Sequence, residues 1–371
     1  MKIFLAIISI FVLTSCTTNK EIVMEENKGY SFYVGTYTNS ESKGIYKYLM
    51  QNDGTLKQIG LAATTENPSF LAMSSDKKYL VAVSETNNQD NGTIASFLVE
   101  EDSLKLINQS SSGGKHPCFV AVNDAGYVLS ANYTGGNIGL LKLDRNGNLS
   151  ELLDLQQHSG SDITKRQKGP HAHSVWFEPN GNNVIAVDLG TNELIFSQLD
   201  TVSQKLVASN PYKLGMKSGA GPRHLTFHPN GQWIYVINEL DCTVTQVTKT
   251  ETNDYVKGAS LSTLPDGFTE ENTCADIHIS SDGKFLYASN RGDNSIAIFS
   301  VDSDEGSLNL VGHESTRGDG PRNFSLSPDD NYLLVANQHT NNIVSFKRDK
   351  VSGLLNYVSE VEAPTPVCIL F

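Results

Sequence analysis

The sequence predicts an all-β chain: seven similar four-stranded sheets in a ring, a seven-bladed β-propeller closed by a C-terminal strand that joins the N-terminal blade. The first observation is a repeat. The segments NPSFLAMSSDKKYLVAVSE (67–85), GPRHLTFHPNGQWIYVINE (221–239), TCADIHISSDGKFLYASNR (273–291) and GPRNFSLSPDDNYLLVANQ (320–338) align. HPCFVAVNDAGYVLSAN (116–132) and HAHSVWFEPNGNNVIAVD (171–188) align less closely. Taking Pro68, Pro117, Ala172, Pro222, Cys274, Pro321 and Pro366 as equivalent gives spacings between 45 and 55 residues, the length of a propeller blade. The second observation is that no stretch carries a long apolar period of 3.6 residues, so helix is scarce. The third concerns the ends. YSFYVGTY (30–37) and GIYKYLM (44–50) resemble only the second and third strands of a unit, and TPVCILF (365–371) only the first. Joined, they complete a seventh blade and leave no sheet edge free.

Within a unit the order is strand, tight turn, strand, polar loop, strand and a weaker fourth strand. Asn230-Gly231, Asn180-Gly181 and Asp282-Gly283 supply the positive φ that a two-residue hairpin turn needs. Third strands are expected at Gly92–Val99, Ile138–Leu143, Leu194–Leu199, Thr243–Thr248, Ser295–Val301 and Asn342–Lys347.

Ahead of the ring, Lys2 precedes an apolar run from Ile3 to Leu13, too short to span a bilayer and suited to a signal segment. Leu13-Thr14-Ser15-Cys16 resembles a bacterial lipobox, which implies acylation of Cys16. Residues 1–15 are therefore expected to be a signal peptide, 16–28 a flexible tether and 29–371 one propeller domain. This places the protein in the cell envelope, lipid-anchored, as a periplasmic or cell-surface lipoprotein, with membrane contact only through Cys16. Cys118, Cys242, Cys274 and Cys368 lack metal-type spacing and are expected to be buried thiols. Across 371 residues the net charge is −13, which argues against a nucleic-acid partner.

The first two strands of each unit form a hairpin, so the start of one lies opposite the end of the other. The midpoint of Arg223 and Glu239 is the turn glycine Gly231. In a propeller the first strand lines the central channel, which brings both positions to one mouth. Round the ring the first-strand positions are Ser69, Cys118, His173, Arg223, Ala275, Arg322 and Val367. The second-strand positions read as Tyr37, Glu85, Asn132, Asp188, Glu239, Arg291 and Gln338. Burying so many unpaired polar groups is costly, so they pair, hold water or face a ligand. The plainer alternatives are an inter-blade ion pair for Arg223, Arg322 or Glu239, a surface turn charge for Arg291 and a packing role for His173. His224 and His228 read as structural.

His171 and His173 share a strand face but lack a third ligand at a defined spacing, so no metal is assigned to them. Glu85, Asn132, Asp188 and Glu239 could supply oxygen ligands for calcium, a variant kept open. HExxH, Walker, dinucleotide-binding and GxSxG motifs are absent, and no cofactor is expected.

YVGTYT (33–38), GAGPRHLTFHPNG followed by VINEL (236–240), and SNRGDNSIAIF (289–299) carry a resemblance. The chain resembles the seven-bladed lactonase family of bacterial 6-phosphogluconolactonases and fungal carboxy-muconate lactonizing enzymes, over essentially the whole mature length. The resemblance implies an active site of one histidine, two arginines and a glutamate, here His173, Arg223, Glu239 and Arg291. His171, Asp188, Arg322 and Gln338 are assigned to substrate binding. The implied reaction is hydrolysis of a small anionic lactone, 6-phosphogluconolactone or a related sugar lactone, by a monomer. His173 would act as base, Arg223 and Arg291 would hold the anion and oxyanion, and Glu239 would orient them or protonate the leaving oxygen. Muconate-type lactonization is one alternative. A non-catalytic propeller binding a glycan, peptide or protein through loops 156–170 and 251–272 is another.

Overall fold

In the computed structural model the described residues are 29–179 and 181–371. The expected signal peptide, tether and Cys16 lie outside them, as does Asn180 of one expected turn. No helix of the described residues is long and apolar enough to cross a membrane. Seven four-stranded antiparallel sheets form the ring. Six are sequential, over residues 71–111, 117–157, 172–215, 222–262, 273–315 and 321–362. The seventh joins Pro366–Leu370 to Tyr30–Thr36, Gly44–Met50 and Leu56–Thr64.

That joint pairs Val34 with Ile369 and Gly35 with Cys368. Gly35, the glycine of YVGTYT, permits the close approach, since a Cβ there would lie 2.3 Å from the Pro68 carbonyl oxygen. Third strands fall at Asn91–Val99, Asn137–Lys142, Glu193–Asp200, Thr243–Lys249, Ser295–Val301 and Asn342–Arg348, within a residue or so of expectation. A single 3₁₀ turn, Lys165–Gln167, interrupts the β structure among the described residues.

Burial follows the strand order. First to third strands are largely buried, whereas fourth strands alternate, as in Leu355–Glu362. The apolar side chains form a separate packed cluster between each pair of neighbouring blades. Phe119, Leu129 and Leu140 meet Val175 and Val184 at one seam, and Tyr235 and Ile237 meet Leu286 and Phe299 at another. Each blade thus buries both faces only when it has two neighbours, which makes closure an energetic requirement. Cys118, Cys242, Cys274 and Cys368 are buried free thiols within this packing.

Candidate active site

At the mouth the central strands share a local irregularity. The register slips by one residue between Pro117 and Phe119, Ala172 and Ser174, Pro222 and His224, and Pro321 and Asn323. Cys118, His173, Arg223 and Arg322 are the unpaired extra residues. Such bulges leave one residue outside the ladder and re-aim its side chain. Here they turn these residues toward the axis. The expected first-strand ring is present, and its means is a repeated bulge.

The second-strand ring differs from expectation in two blades. Pro117 pairs with Asn132, Ala172 with Asp188, Pro222 with Asn238, Cys274 with Asn290 and Pro321 with Asn337. Asn132 and Asp188 therefore belong with buried Asn238, Asn290 and Asn337. The mouth positions are the next residues, Tyr133 and Leu189. A shift of one residue exchanges the two faces of a strand. Asp188 accordingly has a positioning role. Its Oδ1 accepts the backbone N–H groups of His171 (2.8 Å), Gly190 (2.9 Å) and Thr191 (2.8 Å), and Oδ2 lies 2.7 Å from His158 Nδ1. Gln338 is half-buried, with its backbone N–H on the Gly320 carbonyl.

Glu239 is the centre of the mouth. Its Oε2 accepts from Arg223 Nε at 3.1 Å and lies 3.2 Å from Arg291 Nη2; its Oε1 accepts from Arg166 Nη2 at 3.1 Å. His173 Nε2 lies 3.9 Å from Oε2. Backbone carbonyls aim two of the guanidiniums: Arg223 Nη1 donates to Ala275 O (2.5 Å) and Arg291 Nη2 to Cys274 O (2.8 Å). The fourth arginine, Arg322, donates to Tyr37 Oη at 2.9 Å, and Tyr37 donates to Glu85 at 2.9 Å. His173, Arg223, Glu239, Arg291 and Arg322 are thus brought together.

His171 stands beside this group. It stacks on Tyr133, ring centroids 4.5 Å apart, and its Nδ1 lies 3.0 Å from the Tyr133 carbonyl oxygen. A carbonyl can only accept, so Nδ1 carries the proton and the neutral ring keeps its lone pair on Nε2. One residue further along their strands, Phe70 and Phe119 pack on His224, which Trp176 also meets edge-on and whose Nδ1 lies 2.8 Å from Asp276.

The electrostatics follow from burial in a basic cluster. Burial alone would raise the Glu239 carboxyl, but Arg291, Arg223, Arg166 and Arg322 outweigh it and hold the pKa at about 2. Burial and the charges of Arg223 and Arg322 push His173 well below the ordinary histidine value, so the ring is neutral at pH 7. Burial, with Arg223 and Arg322 nearby, lowers Arg291 to about 10, still charged at neutral pH.

The carboxylates of the calcium variant do not gather as a ligand set. Glu85 is taken by Tyr37 and Ser69, Asp188 by backbone amides and His158, and Glu239 by arginines. Among the described residues no group of three or more His, Cys, Asp or Glu is placed to hold a metal ion.

Residues 31–371 match the family described as Lactonase, 7-bladed beta-propeller. The chain belongs to that family. This lactonase-family propeller is 35% identical over 301 residues to the 6-phosphogluconolactonase of Bacillus subtilis, covering 80% of this chain and 84% of that one. It is 36% identical over 308 residues to the 6-phosphogluconolactonase of Formosa agariphila, covering 79% and 85%. The solved structure of the Pseudomonas aeruginosa periplasmic gluconolactonase superposes with a TM-score of 0.87 at 30% identity, over 92% of this chain and 98% of that one.

Sequence reasoning missed Arg166 and Tyr133. Tyr133 follows Asn132 as Glu239 follows Asn238, so aligning the repeat on the asparagines would have found it. Arg166 lies outside the repeat, on the longest connection leading into a central strand, between Gln157 and Ala172.

Proposed function

We propose that this propeller hydrolyses a small anionic lactone, 6-phosphogluconolactone or a related sugar lactone, at the mouth centred on Glu239. The observation that carries this reading is the convergence of three guanidiniums on one carboxylate, beside a neutral imidazole. Water gives a proton to His173 Nε2 as its oxygen bonds to the lactone carbonyl carbon. Arg223 and Arg291, already aimed by backbone carbonyls, stabilise the oxyanion of the tetrahedral intermediate. The ring C–O bond then breaks, and the leaving oxygen takes the proton back from His173, giving the hydroxy acid. Glu239, ionised throughout the physiological range, holds the arginines and has no proton to donate, which removes the alternative acid role. An anionic substrate offsets the guanidinium field that depresses His173, so binding makes the base stronger.

The pH profile of kcat/KM for 6-phosphoglucono-δ-lactone tests this. The free-enzyme base is neutral down to well below 6.5, so the profile should stay flat from pH 8 to 6.5 and fall only on the acid side. An acid limb at the ordinary histidine value that persists with uncharged glucono-δ-lactone, which has no titrating group of its own, would take the role from His173.

We further propose that the protein works in the cell envelope, anchored through acylated Cys16, a reading supported by the lipobox-like tetrad and by the periplasmic relative. Incorporation of labelled palmitate should be lost in Cys16→Ala; equal labelling of both chains would remove the anchor.

A further inference from the structure

We infer that Arg166 is the clamp for the substrate's charged substituent, the residue that separates phosphorylated or carboxylated lactones from neutral ones; the inference rests on the lactonase reading of this mouth. The three arginines on Glu239 are not equivalent. Arg223 and Arg291 hold backbone carbonyls, and their side chains are 3% and 17% exposed, whereas that of Arg166 is 49% exposed. Among the described residues the Arg166 guanidinium is held by two side chains, the Tyr133 hydroxyl at 2.7 Å and Glu239 Oε1 at 3.1 Å. Of the three ion pairs on Glu239 this one has the most water on its cationic side, so it exchanges most readily.

The backbone beneath it is firmly placed. Gln167 donates to Leu189 O at 2.9 Å and to Asn192 Oδ1 at 3.3 Å, and Asp162 accepts from Gly219 N at 2.8 Å and Ser218 Oγ at 2.7 Å. A fixed loop therefore presents a side chain that can leave Glu239 without disturbing the fold. Charge supplies the reason to leave. Arg166, Arg223, Arg291 and Arg322 face Glu239 and Glu85, with Asp276 deeper in the channel acting on Arg223, so four guanidiniums meet three carboxylates and one positive charge stands uncompensated in an otherwise acidic protein. A phosphate or carboxylate substituent is drawn to that surplus, and a guanidinium binds it through two parallel hydrogen bonds. The anion takes Arg166 from Oε1, while Arg223 and Arg291 stay on Oε2 for the reacting carbonyl.

The test is steady-state kinetics of the wild type, Arg166→Gln and Arg166→Lys on 6-phosphoglucono-δ-lactone and on uncharged glucono-δ-lactone. Arg166→Gln should raise KM for the phosphorylated lactone about 10- to 100-fold and for the neutral lactone far less, with kcat changed by less than about threefold. Arg166→Lys should recover part of the loss, as a single-point cation. Equal shifts in KM on both lactones, or no shift on either, would overturn the clamp. Calorimetric titration with inorganic phosphate separates this from failure of the lactonase reading. If the wild type opens no lactone, phosphate bound by the wild type and about tenfold more weakly by Arg166→Gln still supports the clamp. Equal binding by both, or none by the wild type, overturns it.

Discussion

Arg223→Ala is expected to lower kcat/KM for an anionic lactone by about 10²- to 10³-fold, the loss that follows removal of one preorganised oxyanion donor. The ring should stay folded, because Arg223 occupies a bulge outside the strand ladder and Arg291 and Arg166 still compensate Glu239. Arg223→Lys should not restore activity: an ammonium cannot reach the Glu239 carboxylate and the Ala275 carbonyl with the fixed fork of a guanidinium. If Arg223 were only an inter-blade ion pair, the variant would melt earlier in urea and keep its turnover. Activity and urea unfolding on the same preparations distinguish the two.

Glu239→Ala should cost stability as well as activity. Arg223 is 3% exposed, and without Glu239 its charge is left in the interior beside Arg291 with no carboxylate between them. Breaking a buried pair from one side typically costs about 3–5 kcal/mol. The pH dependence has a definite sign. The folded-state carboxyl, held at about 2, lies below its ordinary 4.5, so its contribution is complete above 4.5 and disappears as pH falls toward 2. The stability gap between wild type and Glu239→Gln should therefore be constant above pH 5 and narrow below 4.5. A gap as wide at pH 3 as at pH 7 would mean that the charge of Glu239 contributes nothing.

The fold was legible because blade closure is written twice, in the apolar repeat and in the two incomplete ends. The rim was legible where hairpin length is uniform. Arg223, Glu239, Arg291 and Arg322 sit in units whose turns match, so counting from the turn finds them. The unit of Asn132 has a shorter turn, and the unit of Asp188 breaks the repeat at its end. In both, a one-residue slip moved the expectation from the mouth to the buried face. The bulges themselves leave no mark that a two-residue period could show. Arg166 belongs to no repeat, and only the placement of its loop by Gln167 and Asp162 brings it over Glu239. The proton states were equally hidden. The neutrality of His173 and the ionisation of Glu239 come from the other side chains at the axis, which no local motif contains.

The most direct measurement is ring opening of 6-phosphoglucono-δ-lactone by the purified chain, followed by acid release in a pH-stat, with and without a chelator. Turnover with kcat/KM of at least about 10⁴ M⁻¹s⁻¹, indifferent to the chelator, is the predicted result. A rate no higher than that of the lactone alone, across a panel of anionic and neutral sugar lactones, would contradict it and leave a ring whose arginines bind without reacting.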